Sequence, residues 1–493
     1  MSLTADEIKD RTARGIKWNL LEQVGVYGIT LAGTIVLSRL LLPEEYGLFG
    51  MLAVFANLAT LVVGMGLGYS VIQNKNLTTP DLSSIFWFNL FLGTSVAVMF
   101  FVGAPWIADF YHQEELKNIT RWFCLVFIIQ GAGSIPQGLL IKAVNFKKFA
   151  FSQVTAALVS YSVAIGLALN DFGVWSLLGQ AIAFHTCSVS LNIFFSKWIP
   201  SFHFSLEPLK KIKSFSLNFF FSQLIDFSAT NLDAVLIGKY FGKRDLGFLG
   251  RATALAMLPV TSFGFVLNRT FFPWFASLQH EKDALQYRYL QASKALMLTI
   301  IPMLILIAVM SQDVVLLLFG GQWVFIAPLV SVFAIYASVN CFNSFHDSFI
   351  TSQGRADLLL KLNIVEKSIL VISVVAALRF GLTGIVWAKT VVTVVMFLPR
   401  LILVSKLVNM NWWTWFKEKT GLFIALGILL TAAWVLNLFL IEQFFIIRLV
   451  IVTLISLSGY YLFLVLIKEK ALHDVQNNII SQVKSVLSKS ANQ

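Results

Sequence analysis

Residues 18–50, WNLLEQVGVYGITLAGTIVLSRLLLPEEYGLFG, contain the pattern that decides the fold of this chain. Apolar residues fill most of the run from Trp18 to Leu41, and a helix needs about 20 such residues to cross the hydrocarbon core of a bilayer. A short turn with two acids follows, and the next apolar run begins at Gly47. A membrane-length run, a tight turn and a second run predict a helical hairpin that spans the membrane twice.

The same alternation recurs along all 493 residues, of which 57% are hydrophobic and only 13% charged. The mean hydropathy of +0.78 is far above that of water-soluble domains. We therefore predict an all-α, polytopic membrane protein of about 14 transmembrane helices. The predicted spans are 18–41, 47–72, 85–110, 120–144, 149–169, 172–195, 215–241, 248–275, 295–319, 326–350, 358–378, 383–407, 420–441 and 444–467.

Several function classes do not fit this composition. The net charge of +12 comes from short basic clusters between apolar runs, where they orient helices, so no nucleic-acid partner is expected. Cys124, Cys187 and Cys341 stand alone in apolar segments, which predicts neither disulfides nor a metal site. The sequence has no phosphate-binding loop, no HExxH motif and no long extramembrane segment for catalysis. We expect no enzyme activity and no cofactor, while coupling to H⁺ or Na⁺ stays open.

The basic connections set the predicted orientation. Lysines and arginines precede the first span and recur at 142–148, 197–213 and 406–419, which are connections of the same parity. Because cytoplasmic loops carry the excess of positive charge, both termini are expected in the cytoplasm. Amphipathic helices are expected along the membrane surface at residues 1–17 and 468–493. No cleavable signal peptide is expected, because the first apolar run lacks a small-residue cleavage site.

An internal repeat indicates how the helices are grouped. A shift of 200 positions aligns the first span with the seventh and matches a basic residue, a turn, an acid and a Gly-x-x-Gly pair, as in Glu45 with Asp245 and Gly47 with Gly247. Two six-helix lobes are therefore predicted, at 18–196 and 215–407. Residues 197–214 connect them, and 420–467 add two more helices. Six helices per copy place the symmetry axis along the membrane normal, an arrangement that suits alternating access to a central cavity.

Ionisable and polar residues inside the spans are the candidates for lining that cavity, because each is costly to insert in lipid. Gln223, Asp226, Thr230 and Asp233 follow helical spacing on one face of the seventh span, and Asp226 lies near mid-membrane. The full candidate set is Glu22, Gln223, Asp226, Thr230, Asp233, Arg269, Asp347, Glu366, Lys367 and Lys389. A structural alternative is that the stripe forms hydrogen bonds between helices and that the basic residues extend to the headgroups.

Several motifs carry a resemblance to a known family. They are GIKW at 15–18, SRLLLPEEYGLFG at 38–50, GLGYS at 66–70, NFKK at 145–148 and FFPWFA at 271–276. They resemble the Wzx-type polysaccharide and lipid-linked oligosaccharide flippases of the multidrug/oligosaccharidyl-lipid/polysaccharide (MOP) exporter superfamily. The resemblance extends over nearly the whole chain.

This resemblance implies a two-lobed, MATE-like bundle in the bacterial cytoplasmic (inner) membrane. It also implies export of an undecaprenyl-pyrophosphate-linked oligosaccharide, the unit of O-antigen, capsule or exopolysaccharide. The implied partners are membrane lipids and other polysaccharide assembly proteins. Arg269, Lys367 and Lys389 are candidates to meet the pyrophosphate. The first alternative is a cation-coupled multidrug exporter of the same superfamily. The non-transport alternative is a membrane enzyme of cell-envelope assembly.

Overall fold

The computed structural model describes residues 5–64, 71, 77–208, 220, 223–224, 227, 231–279 and 281–467, without the side chains of 5–17, 19–20, 262–270 and 272–273. In this part of the chain there are helices and connections but no strand. The helices are α1 (Ala5–Leu40), α2 (Pro43–Gly64), α3 (Thr79–Tyr111), α4 (Glu115–Lys142), α5 (Phe146–Leu169), α6 (Val174–Ser196), α7 (Leu232–Ser277), α8 (Lys282–Val309), α9 (Ser311–Leu318), α10 (Ala327–Ser352), α11 (Ala356–Ala377), α12 (Gly381–Leu407), α13 (Trp412–Lys417), α14 (Thr420–Phe439) and α15 (Phe445–Leu466).

The predicted all-α membrane fold is confirmed. Eleven stretches of the described helices are long and apolar enough to cross a membrane. One of them, 356–407, contains both α11 and α12, and α7 covers the end of the seventh and all of the eighth predicted span. The exact number of fourteen spans is consistent with this helix order and stays a prediction.

One predicted span has the wrong limits. The ninth span was expected at 295–319, but α8 begins at Lys282 and ends at Val309, and 311–318 form the separate helix α9. The charged start of α8 has no membrane-like composition. It is nevertheless helical because Leu285 and Tyr289 on one of its faces are fully buried.

The described chain groups into two compact units, 1–250 and 251–493. In the first unit, α4 packs against α3 and α6, and α1 packs against α5. The connection that follows α6 is held on the beginning of α3, because the Ser201 amide donates to Ser83 Oγ at 3.0 Å and the Trp87 indole donates to Ser201 O at 2.9 Å. The connection 197–205 therefore meets the segment 78–87, and the segment 42–47 meets 243–247.

In the second unit, α10 packs against α8 and α12, and α14 packs against α8 and α15. Its core is aromatic, with Phe275, Tyr289 and Phe349 buried together. The last helix, α15, is joined to α9 by an ion pair between Arg448 and Asp313. The amphipathic tail predicted at 468–493 lies outside the described residues. The helix predicted within 1–17 continues into α1 from residue 5 without a break.

Candidate functional site

Two short turns of the first unit are stabilised by local features of the sequence. At 42–47, where α2 begins, Glu45 Oε2 in the first turn of the helix accepts a hydrogen bond from the Leu42 amide at 2.7 Å, which explains the acid at this position of the motif. Just before 243–247, α7 is interrupted at Gly242, whose φ of 86° favours glycine, and 243–247 begin the helical segment that follows. We call 42–47 and 243–247 the paired turns.

The paired turns touch through equivalent positions of the predicted repeat. A Cβ on Gly47 would overlap the carbonyl oxygen of Lys243, and a Cβ on Gly247 would overlap the carbonyl oxygen of Pro43. Residue 47 therefore meets 243 while 247 meets 43. Such a reciprocal contact is the pattern that a two-fold axis between two copies produces. The backbones approach this closely only because both positions lack a side chain.

Ion pairs flank the paired turns. Arg244 Nε lies 3.4 Å from Glu44 Oε1, which again joins positions 200 residues apart. Lys243 Nζ lies 3.4 Å from Glu115 Oε1 at the beginning of α4. The Arg244 side chain is 57% exposed, so this pair adds little energy but orients the turns. The contact is thus held mainly by backbone packing.

A partly open cavity of about 310 Å³ lies between α1, α2, α5 and α6 of the same unit; its walls are mostly apolar but carry several hydroxyl and amide groups, and we call it the polar cavity. Thr30, Ser160, Tyr161 and Gln180 supply hydroxyl and amide groups, and Phe49 and Phe184 supply aromatic surface. The Tyr161 and Thr34 hydroxyls are 3.2 Å apart, which fixes the tyrosine ring across α1. None of the described residues that line this cavity is charged, so its chemistry suits a neutral ligand that is rich in hydroxyl groups.

A charge cluster lies in the second unit. Arg400 of α12 donates through Nε to Asp347 Oδ1 at 2.8 Å and through Nη2 to Glu366 Oε2 at 2.5 Å and Asn363 Oδ1 at 3.0 Å. The Arg400 side chain is only 3% exposed. Two carboxylates of neighbouring helices therefore share one buried guanidinium. We call Asp347, Asn363, Glu366 and Arg400 the Arg400 cluster.

The structure brings together some of the predicted cavity residues. Asp347 and Glu366 meet in the Arg400 cluster, and Lys367 follows Glu366 on α11. Lys389 is half-buried, with its Nζ 5.9 Å from the centre of the Tyr336 ring. These contacts join α10, α11 and α12, and the cavity role of these residues stays a prediction.

The other described members of the predicted cavity set belong to the first unit. Glu22 is half-buried on α1, Gln223 is exposed and Asp233 is buried. Asp226, Thr230 and the Arg269 side chain lie outside the described residues. The polar stripe on the seventh span therefore stays a prediction, of which Gln223 and Asp233 are the described members.

Sequence reasoning missed Arg400, Asp313 and Arg448. Arg400 stands seven residues before the end of an apolar run, where a basic side chain is normally assigned to the headgroups. In the structure it faces inward, because its carboxylate partners lie 53 and 34 residues away on other helices. The only available signal was the presence of acids inside the neighbouring predicted spans.

Comparison with known proteins supports the resemblance found in the sequence. The pattern of a family described as "Polysaccharide biosynthesis protein" matches residues 36–328. The teichuronic acid biosynthesis protein TuaB of Bacillus subtilis (strain 168) is 27% identical over 424 residues, covering 84% of this chain and 87% of TuaB. The lipopolysaccharide biosynthesis protein WzxC of Escherichia coli (strain K12) is 23% identical over 370 residues, covering 75% of this chain and of WzxC.

Solved structures share the fold. The lipid II flippase MurJ, in an inward closed conformation, superposes with a TM-score of 0.66 at 14% identity, over 90% of this chain and 99% of that one. An inward-facing multidrug resistance MATE family transporter of the MOP superfamily gives 0.57 at 18% identity, over 78% of this chain and 95% of that one. The predicted MOP resemblance is therefore confirmed.

Proposed function

The chain belongs to the polysaccharide biosynthesis protein family, and from this premise we propose that it flips a lipid-linked oligosaccharide across the membrane without changing it chemically. The uncharged polar cavity of the first unit carries the proposal. A sugar ring offers hydroxyl groups to Thr30 and Gln180 and an apolar face to the ring of Tyr161.

The undecaprenyl pyrophosphate carrier, the bacterial inner membrane and the cytoplasmic termini are further parts of the proposal. A pyrophosphate that enters a low-dielectric region needs cationic partners. Lys367 and Lys389 of the second unit and Arg269 are the candidates. Relatives that are named for polysaccharide biosynthesis, and the basic connections at 142–148 and 197–213, support these assignments.

Deletion of the gene tests the function. Loss of surface polysaccharide, with lipid-linked sugar units accumulating on the cytoplasmic face, is the expected result. Drug sensitivity with intact polysaccharide would instead support the multidrug exporter, whose cavity should be dominated by acids such as Asp226 and Asp233. Accumulation of an unlinked sugar precursor would support an envelope enzyme.

Alternating access is the proposed mechanism, and the paired turns are its proposed gate at one end. The reciprocal glycine contact holds two symmetry-related turns together, and its flanking ion pairs are weak enough to separate and reform. Opening of this contact would admit or release the sugar at that end.

A reducible cross-link tests the gate. Glu44→Cys with Arg244→Cys, in a chain whose three cysteines are alanine, is joined by a bifunctional thiol reagent. We expect transport in proteoliposomes to stop and to return on reduction. The matched control is Lys294→Cys with Glu418→Cys, an ion pair of 3.3 Å within the second unit, which should transport when cross-linked. Undiminished transport by the linked 44–244 protein would exclude the paired turns as a gate.

A further inference from the structure

An open apolar groove of about 710 Å³ lies between α2, α3 and the beginning of α7 in the first unit. Its walls include Phe55 and Leu58 of α2, Phe100, Gly103 and Ile107 of α3, and Val235 of α7. The groove is separate from the polar cavity and is lined by different helix faces. Its size is within the range of sites that hold small molecules.

The mouth of the groove faces the lipid. Trp106 and Met99 of α3 line it and are 73% and 60% exposed. The groove follows α3 from Met99 to Phe110, which is about 16 Å at 1.5 Å per residue. That length is about half of a hydrocarbon core of about 30 Å, so the groove accommodates a chain from one leaflet.

The ammonium group of Lys239 lies at one end of the groove. Asn231, Val235 and Lys239 are spaced four residues apart on one face of α7, and the first two line the groove. Lys239 Nζ lies 4.2 Å from the centre of the Phe110 ring, which forms the end wall. Lys239 is exposed, and among the described residues it forms no ion pair. An apolar slot one leaflet long that ends at a lysine matches the shape and charge of an anionic lipid.

We propose that this groove is a binding site for an anionic membrane glycerophospholipid, with one acyl chain between α2, α3 and α7 and the phosphate at Lys239. A lysine near the membrane surface attracts anionic headgroups, and the apolar walls select for a hydrocarbon chain. The bound lipid would pack against the helix that leads into the paired turns. The inference does not depend on the transported substrate.

Photolabelling in nanodiscs tests the site. The protein is placed in phosphatidylcholine that contains a minor fraction of phosphatidylglycerol with a diazirine on its acyl chain, and labelled peptides are mapped by mass spectrometry. We expect labelling on α3 and the beginning of α7. Gly103→Leu should lower it about tenfold, because the leucine fills the groove. A Cβ at 103 meets only Trp106, at 3.8 Å, so the substitution fits without strain.

Matched variants separate the two parts of the site. Lys239→Gln should lower phosphatidylglycerol labelling about fivefold and leave labelling by a phosphatidylcholine probe unchanged. Gly427→Leu on α14, where a Cβ meets nothing within 4 Å, is the control for a leucine added at a lipid-facing position. Lys117→Gln, an exposed lysine near the same end of the unit, is the control for lost charge.

Three results would overturn the proposal. Equal labelling of wild type and Gly103→Leu would place the lipid elsewhere. Equal labelling by both probes in wild type and Lys239→Gln would show annular lipid only. Displacement of the phosphatidylglycerol label by undecaprenyl phosphate at equal mole fraction would assign the groove to a polyprenyl carrier. If Gly103→Leu does not fold, the Lys239→Gln comparison decides.

Discussion

The ion pairs of the first unit and those of the second differ in their surroundings more than in their chemistry. Arg244 pairs with Glu44 at the paired turns with more than half of its side chain in contact with solvent, whereas the Arg400 side chain is almost completely enclosed with two carboxylates. An exposed pair gains little because water competes for both charges, but a buried charge that loses its partner is strongly destabilising. An exposed ion pair therefore suits a contact that must separate, and a buried ion pair suits a contact that holds helices in place.

Loss of the buried cation should have the largest effect. Arg400→Met leaves Asp347 and Glu366 facing each other without a partner and should reduce stability by about 3 kcal/mol, a fall of about 6 °C or more in apparent melting temperature in detergent. Thermal unfolding followed by size-exclusion chromatography measures this change.

A neutral version of the Arg400 cluster provides the control for that prediction. Combining Arg400→Met with Asp347→Asn and Glu366→Gln should recover part of the loss, because no charge is then left unpaired. A melting temperature of Arg400→Met equal to that of wild type would mean that the cluster is hydrated and does not hold α10, α11 and α12 together.

Lys419, a buried cation without a carboxylate partner within 4 Å among the described residues, should behave in the opposite way. Burial between α13 and α14 lowers the pKa of Lys419 well below its usual range, and the charge of Lys294 adds to the effect while Glu418 opposes it. The folded protein therefore holds this proton less tightly than the unfolded chain does. Wild-type stability should rise with pH toward the ordinary lysine pKa of about 10.4.

Lys419→Met removes that pH dependence. The variant should melt about 2 °C higher than wild type at pH 7, and the difference should shrink as the pH approaches 9.5. The exposed neighbour Lys417 is the control, since Lys417→Met should show no such trend. A lower melting temperature for Lys419→Met at every pH would indicate that the ammonium group is stabilised by the Trp415 ring, 4.0 Å away.

Removal of an exposed partner should have the smallest effect. Arg244→Gln is expected to change the melting temperature by about 1 °C or less, and added salt should abolish the difference. Measurement at low and high ionic strength checks this. A fall in melting temperature as large as that of Arg400→Met would show that the ion pair, and not the glycine contact, holds the paired turns together.

The sequence predicted more of the fold than of the site. The helical membrane architecture, the parity of the connections and the equivalence of Gly47 with Gly247 follow from run lengths, basic clusters and a shift of 200 residues. The predicted ninth span began too late because the first turns of α8 carry charged residues. These turns are helical because one of their faces is buried. Tyr161 was not in the predicted set of cavity residues, and the structure places it in the wall of a cavity.

Hydropathy and length are properties of neighbouring residues, so they alone establish that this chain forms membrane-spanning helices with short turns. The pairing of charges is not local. Arg400 and Asp347 are 53 residues apart, Arg448 and Asp313 are 135 apart, and neither spacing marks a contact. Only the packing of helices decides which side chains face each other, because a buried charge is stabilised where another helix supplies its partner.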